Sequence, residues 1–216
     1  MSNTPNFNLN LISDGDTTWG DEARANYSIL DATVGGVPLW RKRKGATEDR
    51  WYVAGMVNAT VLTTGAPTAN FLRALPLITG RATLDRIAIN VTAAAAGSAR
   101  LGIYNDGGNL YPSSLVLDAG EVSTGTTGVK ALTIINQTLA PGLYWLVLVS
   151  NAASTIRALA LGGCMAILGL DATLGTAPGV GWSATFTYAA LPASFPAGAS
   201  VLAATPVPAV FVRAAA

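Results

Sequence analysis

From Trp51 onward the chain is a succession of short runs with a two-residue period, and this period limits the fold more than any other feature. In "TLDRIAINVT", Ile87, Ile89 and Val91 alternate with Arg86, Ala88 and Asn90. In "SARLGIYND", Ala99, Leu101 and Ile103 share one face, and Arg100, Gly102 and Tyr104 share the other. Such alternation places successive side chains on opposite faces of a β-strand. "SLVLDAGEVS", "VKALTIINQTL" and "GLYWLVLVS" follow, separated by "NDGGN", "GTTG" and "APG". Glycine and asparagine supply the backbone conformations that tight turns need. Short strands at regular intervals with turn residues between them predict a mainly β fold, an antiparallel sandwich or barrel. No helical repeat interrupts them, which argues against an α/β sheet. "GLYWLVLV" is apolar on both faces and is expected to be a central strand.

The C-terminal third raises the question of what covers it. Residues 158–212 contain a single charge, Asp171, among Ala, Gly, Pro and small apolar residues. "GVGWSATFTY" and "PVPAVFVR" read as further strands, and the rest as irregular chain pressed against protein. The prolines of "LPASFPAGASVLAATPVPAV" are expected to cap strand edges. Only 12% of the chain is charged and 50% is hydrophobic. A surface that apolar aggregates unless it is covered, so the composition predicts burial between subunits of a homo-oligomer. Membrane insertion is not expected. The longest apolar run, Ala158–Leu170, falls short of the roughly 20 residues of a spanning helix. The strands lack the polar lumen face of a membrane barrel. The polar start "MSNTPNFNLN" predicts no signal peptide.

In front of the β region stands a different kind of segment, "LISDGDTTWGDEARANYSILDATVGG". Asp16, Thr17 and Thr18 are competent helix N-caps, and Asp21 and Glu22 put negative charge in the first turn. Ala23, Tyr27, Leu30 and Val34 recur at spacings of four, three and four, which makes one apolar seam on a helix of about four turns. Gly35 and Gly36 end it. A lone helix this short is marginal in water, so it must dock on its own body, on copies of itself or on another protein. Around a threefold axis, Tyr27, Leu30 and Val34 would meet as coiled-coil positions do. The basic run Arg41–Lys44 follows, with Glu48 and Asp49 close behind, and reads as a solvated linker. The organisation expected is an attachment segment at 1–36, a linker at 37–50 and a β domain at 51–216.

Several chemistries are ruled out or weakly supported. The chain has no histidine and one cysteine, Cys164. This excludes an internal disulfide, a Cys/His zinc site and histidine acid–base catalysis. There is no nucleophile elbow and no phosphate-binding loop with its lysine. A net charge of +1 recruits no nucleic acid. "NDGGN" and the acids Asp14, Asp16, Asp21 and Glu22 lack the ligand spacing of a calcium loop. Trp145 and Cys164 are expected in the core, and Trp182 or Tyr104 could stack on sugar only if exposed. No catalytic residue, metal or cofactor is expected.

Arg86–Ser150 resembles a β-sandwich module of tailed-bacteriophage structural proteins. The shared features are a strand ending "RLGIY", a Gly/Asn hairpin, "YPSSLVLDAG", and "PGLYWL" after a turn. "NFNLNLISDGDTTWGDEARANYSILDATVG" is similar to the entry segment of phage fibre and spike subunits. The resemblance implies a jelly-roll-like sandwich, a commonly trimeric assembly and a place in the virion, assembled in the host cytoplasm. It implies that the front segment, with Trp19, Ala23, Tyr27, Leu30 and Val34, anchors the subunit to other virion proteins. The long shaft repeats of a tail fibre are missing, which favours a compact capsid spike, a head decoration protein or an adaptor. The alternative expectation is a carbohydrate-binding module that recognises host glycan.

Overall fold

The computed structural model describes residues 51–56, 62–133, 135–170, 174, 178–203 and 207–215. The expected N-terminal helix and basic linker lie outside the described residues. Within them the chain is mainly β, and the strand pairings are antiparallel. In chain order the strands are β1 (Trp51–Val53), β2 (Leu62–Gly65), β3 (Phe71–Thr79), β4 (Ala82–Ala93), β5 (Ser98–Asp106), β6 (Pro112–Ser123) and β7 (Gly128–Leu132). Then come β8 (Gln137–Leu139), β9 (Gly142–Ser150), β10 (Thr155–Leu159), β11 (Gly181–Thr185), β12 (Ser200–Leu202), β13 (Val207–Pro208) and β14 (Phe211–Ala214).

Six strands form one sheet in the order β12–β11–β3–β9–β5–β6. The eight-stranded sheet is built on the long β4, which pairs β7 and β8 along one side and β14 and β10 along the other. β1 pairs β14, while β2 and β13 pair β10. The expected alternation sets the inner faces. Ile87, Ile89 and Val91 of β4 join Ala99, Leu101 and Ile103 of β5 and Leu146 and Leu148 of β9 in one core cluster. The two sheets therefore share an apolar core. Each fully buried Leu, Ile or Val stabilises it by about 1.5–3 kcal/mol.

β9 is central, between β3 and β5, and apolar on both faces as its sequence requires. Its other face carries Trp145, Val147 and Val149, which join Leu72 and Ala74 of β3 in a second cluster. Leu191 and Phe195 complete that cluster, with Phe186, Tyr188 and Ala199 packed against it. The chain between β11 and β12 thus forms a strap over the outer face of the six-stranded sheet.

This arrangement corrects one premise of the sequence reading. Leu159, Val180, Leu191, Phe195, Leu202, Val207, Val210 and Val212 are all buried within a single chain. These residues of the C-terminal third complete this chain's own cores, while Leu170, Leu174 and Val201 stay exposed. Pro192 and Pro196 lie in the strap and accept hydrogen bonds from Tyr104 and Tyr111, and the residues between them bridge the β6 edge at Ser114, as expected of chain that covers a strand edge. "VKALTIINQTL" is divided between β7 and β8, which meet different parts of β4.

Candidate functional site

The residues expected to anchor the subunit, Trp19, Ala23, Tyr27, Leu30 and Val34, lie outside the described residues, as does the basic run Arg41–Lys44. Three places where polar or apolar groups converge stand out among the described residues of the body.

The first is the loop from β5 to β6, which contains the "NDGGN" weighed for calcium. Asp106 Oδ1 accepts a hydrogen bond from Trp145 Nε1 at 2.9 Å, and Oδ2 accepts one from the Gly108 N–H at 2.8 Å. Gly107 N–H donates to the Tyr111 carbonyl at 2.8 Å and closes the loop. Gly108 has φ +84°, a left-handed conformation that favours glycine. Both carboxylate oxygens are occupied by the protein's own donors. Among the described residues, no three His, Cys, Asp or Glu side chains converge to hold a metal.

The second is the seat of the strap. Arg100 Nε lies 2.9 Å from both oxygens of Asp118, across the β5–β6 pair. Asp118 also accepts from Gly120 N–H at 3.1 Å and from Leu191 N–H, in the strap, at 3.0 Å. The carboxylate raises the pKa of Arg100 further. Tyr104 donates to the Pro192 carbonyl and Tyr111 to the Pro196 carbonyl, each at 2.6 Å. Tyr188 donates to Glu121 Oε2 at 2.6 Å, and burial together with that bond pushes its hydroxyl up to about 12. Burial raises the Tyr104 hydroxyl as well. Two backbone bonds, Leu115 N–H to Ala193 O and Phe195 N–H to Ser113 O, tie the strap to the start of β6.

Aromatic rings fill the space beneath. Phe195 packs edge-on to Tyr104 and Tyr111, and Tyr111 edge-on to Trp182 at 4.8 Å between centroids. Trp182 Nε1 donates to the Leu110 carbonyl at 2.7 Å. Of the rings weighed for sugar stacking, Tyr104 is fully buried and Trp182 half-buried, and Trp145 is in the core as expected. Every described Trp, Tyr and Phe is buried or half-buried. Cys164 is also in the core as expected, and burial raises its thiol to about 11, so it is no thiolate nucleophile at neutral pH.

The third place is a shallow apolar groove on the eight-stranded sheet, on the face of β4 away from the core. It has a volume of about 190 Å³ and is lined by Trp51, Ala88, Ile89, Asn90, Val129 and Phe211. Val129 is 61% exposed. In register beside it, Arg213 lies opposite Arg86. Arg213 is paired with Asp85, and that bond holds the Asp85 carboxyl below its usual range. Arg86 Nε is buried with no hydrogen-bond partner.

Sequence reasoning singled out neither the Arg100–Asp118 pair nor the Asp85–Arg213 pair. The available signal was a charged residue within an apolar strand run, which needs a partner once the strand is half-buried. Comparison with protein-family models, with curated proteins and with solved structures finds no match.

Proposed function

We propose that this chain is a non-enzymatic structural subunit of a tailed-phage virion. Its two sheets make a β-sandwich body of jelly-roll type, and residues 1–36 attach that body to other virion proteins. The assembly is a homo-oligomer, with a trimer favoured, and it serves as a surface spike, fibre or decoration subunit. The observation that carries this reading is where the motif residues spend their polar groups. Arg100 and Asp118 pair with each other, Asp106 holds Trp145, and Tyr104 and Tyr111 hold the strap. These are the residues of the phage-like stretches, and they build a closed scaffold. Host-glycan binding has weaker support, because Tyr104, Tyr111, Trp182 and Phe195 pack edge-on against one another.

Particle incorporation tests the proposal. The tagged full chain and a version lacking residues 1–36 are expressed in cells producing phage particles from the same genome, and the particles are purified by density. The full chain is expected in the particle band, and the shortened chain in the soluble fraction. Absence of the full chain from particles overturns the virion reading. Equal incorporation of both versions overturns the role given to residues 1–36.

A further inference from the structure

We propose that the pocket between β11 and the end of the strap binds a small carboxylate that also carries hydroxyl groups, with Arg73 taking the carboxylate and Ser183, Thr185 and Ser200 the hydroxyls. The site belongs to the body alone and holds whether or not the subunit belongs to a virion.

Strand register builds it. Ser200, Ser183 and Arg73 are consecutive partners across β12, β11 and β3, and directly opposed residues share one face of a sheet. Thr185 and Phe71 are partners two residues further along, so they share that face too. β12 pairs β11 only as far as Ser183. Beyond it the chain parts from β11, and Pro196, Ala197 and Gly198 help to wall a cavity of about 260 Å³. Pockets for drug-sized ligands hold roughly 300–1,000 Å³, so this one takes a single small ring or short chain.

The polar groups here lack partners. Arg73 Nε and Nη1 are out of water without an acceptor. Arg100 and Arg213 each hold a carboxylate, whereas the guanidinium carbon of Arg73 lies 5.9 Å from the centre of the Phe71 ring. A ring face attracts the charge but is no substitute for oxygen acceptors. Burial pulls the Arg73 pKa below its ordinary value, with no carboxylate to offset it. Among the described residues, no hydrogen bond engages the hydroxyls of Ser183, Thr185 and Ser200.

Phe71 is a wall of the cavity and lies against Arg73, and Ser183, another wall, is the ladder partner of Arg73. The guanidinium therefore stands at the edge of the cavity, on a half-buried side chain with a flexible stem.

These groups specify the ligand. A guanidinium only donates and stays charged, so it calls for an oxyanion. One cation balances the single charge of a carboxylate better than the nearly double charge of a phosphate. Hydroxyls both donate and accept, which suits hydroxyls on the ligand. A free hydroxy acid and an acidic sugar residue share this chemistry.

Amide chemical-shift titration of the full-length chain tests this, with glucuronate, lactate, glucose and inorganic phosphate as probes. Glucuronate or lactate is expected to saturate shifts at residues 183–185 and 198–200, and the tighter of the two identifies the source of the ligand. Arg73→Gln is expected to weaken that binding at least ~10-fold, and Ser183→Ala by about 2- to 10-fold. Unmoved amides in β5 and β6 serve as the control for an intact fold. No saturable shift with either carboxylate up to about 100 mM overturns the proposal. So does affinity unchanged in Arg73→Gln, or unchanged in Ser183→Ala where Arg73→Gln does not fold. Glucose or phosphate binding as tightly as both carboxylates also overturns it.

Discussion

Replacing Asp118 by alanine removes the acceptor on which the seat of the strap depends. Three donors lose it: Arg100 Nε, the Gly120 amide and the Leu191 amide. They do not count equally. Leu191 is only 6% exposed, and a buried amide left without an acceptor loses about 1–3 kcal/mol. The Arg100 and Asp118 side chains are 23% and 19% exposed. Water screens part of their attraction, so the pair contributes about 1 kcal/mol or less. Gly120 is half-buried, and its bond to the carboxylate, partly replaced by water when lost, contributes about 1 kcal/mol net. The expected loss is therefore about 2–4 kcal/mol, with the Leu191 amide as its largest part. Most domains have 5–15 kcal/mol in hand, so the variant should still fold. Urea denaturation gives the loss, and hydrogen exchange of the Leu191 amide locates it. Arg100→Met removes only the ion pair and should lose about 1 kcal/mol. Equal losses for Asp118→Ala and Arg100→Met would show that the ion pair, not the buried amide, dominates. An unchanged Leu191 exchange rate in Asp118→Ala would refute the reasoning outright.

Three further outcomes follow from the same structure. Gly102→Ala places a methyl group on Leu191 Cδ1 and 2.5 Å from the Leu117 carbonyl oxygen; the side chain can swing away but the backbone cannot, so urea denaturation should show a loss of about 1–3 kcal/mol. The raised Tyr188 hydroxyl favours the folded state in its neutral form, so its contribution is complete below the unfolded value of about 10 and is lost as pH rises through about 12. Tyr188→Phe should flatten that alkaline limb of stability, and tyrosinate absorbance should lose a component titrating near 12. Asp85 has a depressed pKa, so it stabilises the fold above the usual carboxylate value of about 3.9 and ceases to as pH falls below it; Asp85→Asn should flatten the acid limb of a stability profile followed by circular dichroism.

What was legible in the sequence followed from local period, and what was not depended on distant partners. "SARLGIYND" coincides with β5 from end to end because its alternation is uninterrupted. "GLYWLVLVS" is β9 because a strand apolar on both faces has to be covered on both. β3 is also a central strand, yet it carries Pro76, paired with Trp145 in the ladder. A proline has no N–H to give a sheet, so it argues against the strand that is there. The acid of "NDGGN" was visible, but its use was not, since Trp145 lies 39 residues away. Arg100 and Asp118 are 18 residues apart, and Leu191 lies 73 residues beyond Asp118. Strand pairing brings these groups together, and no short-range spacing encodes it.

Low charge was the argument for a partner, and the fold changes what that argument supports. A chain that covers both faces of a six-stranded sheet needs an apolar strap as well as an apolar core, so much of its hydrophobicity is spent internally. The edges of the six-stranded sheet offer little to a second copy. β6 ends the six-stranded sheet, and its pairing with β5 is broken by register shifts, which twist an edge away from further pairing. β12, at the other end, is only three residues long. Among the described residues, the groove lined by Trp51, Val129 and Phe211 is an apolar face open to association. If copies of the chain meet there, Val129→Asp should lower the mass of the full chain. Light scattering of the full chain should then show an oligomer, and Val129→Asp should reduce it toward the monomer. If the seam of residues 23–34 holds the oligomer together instead, Val129→Asp leaves the mass unchanged and deletion of residues 1–36 yields monomers. The two arrangements thus predict that different variants lower one measured mass.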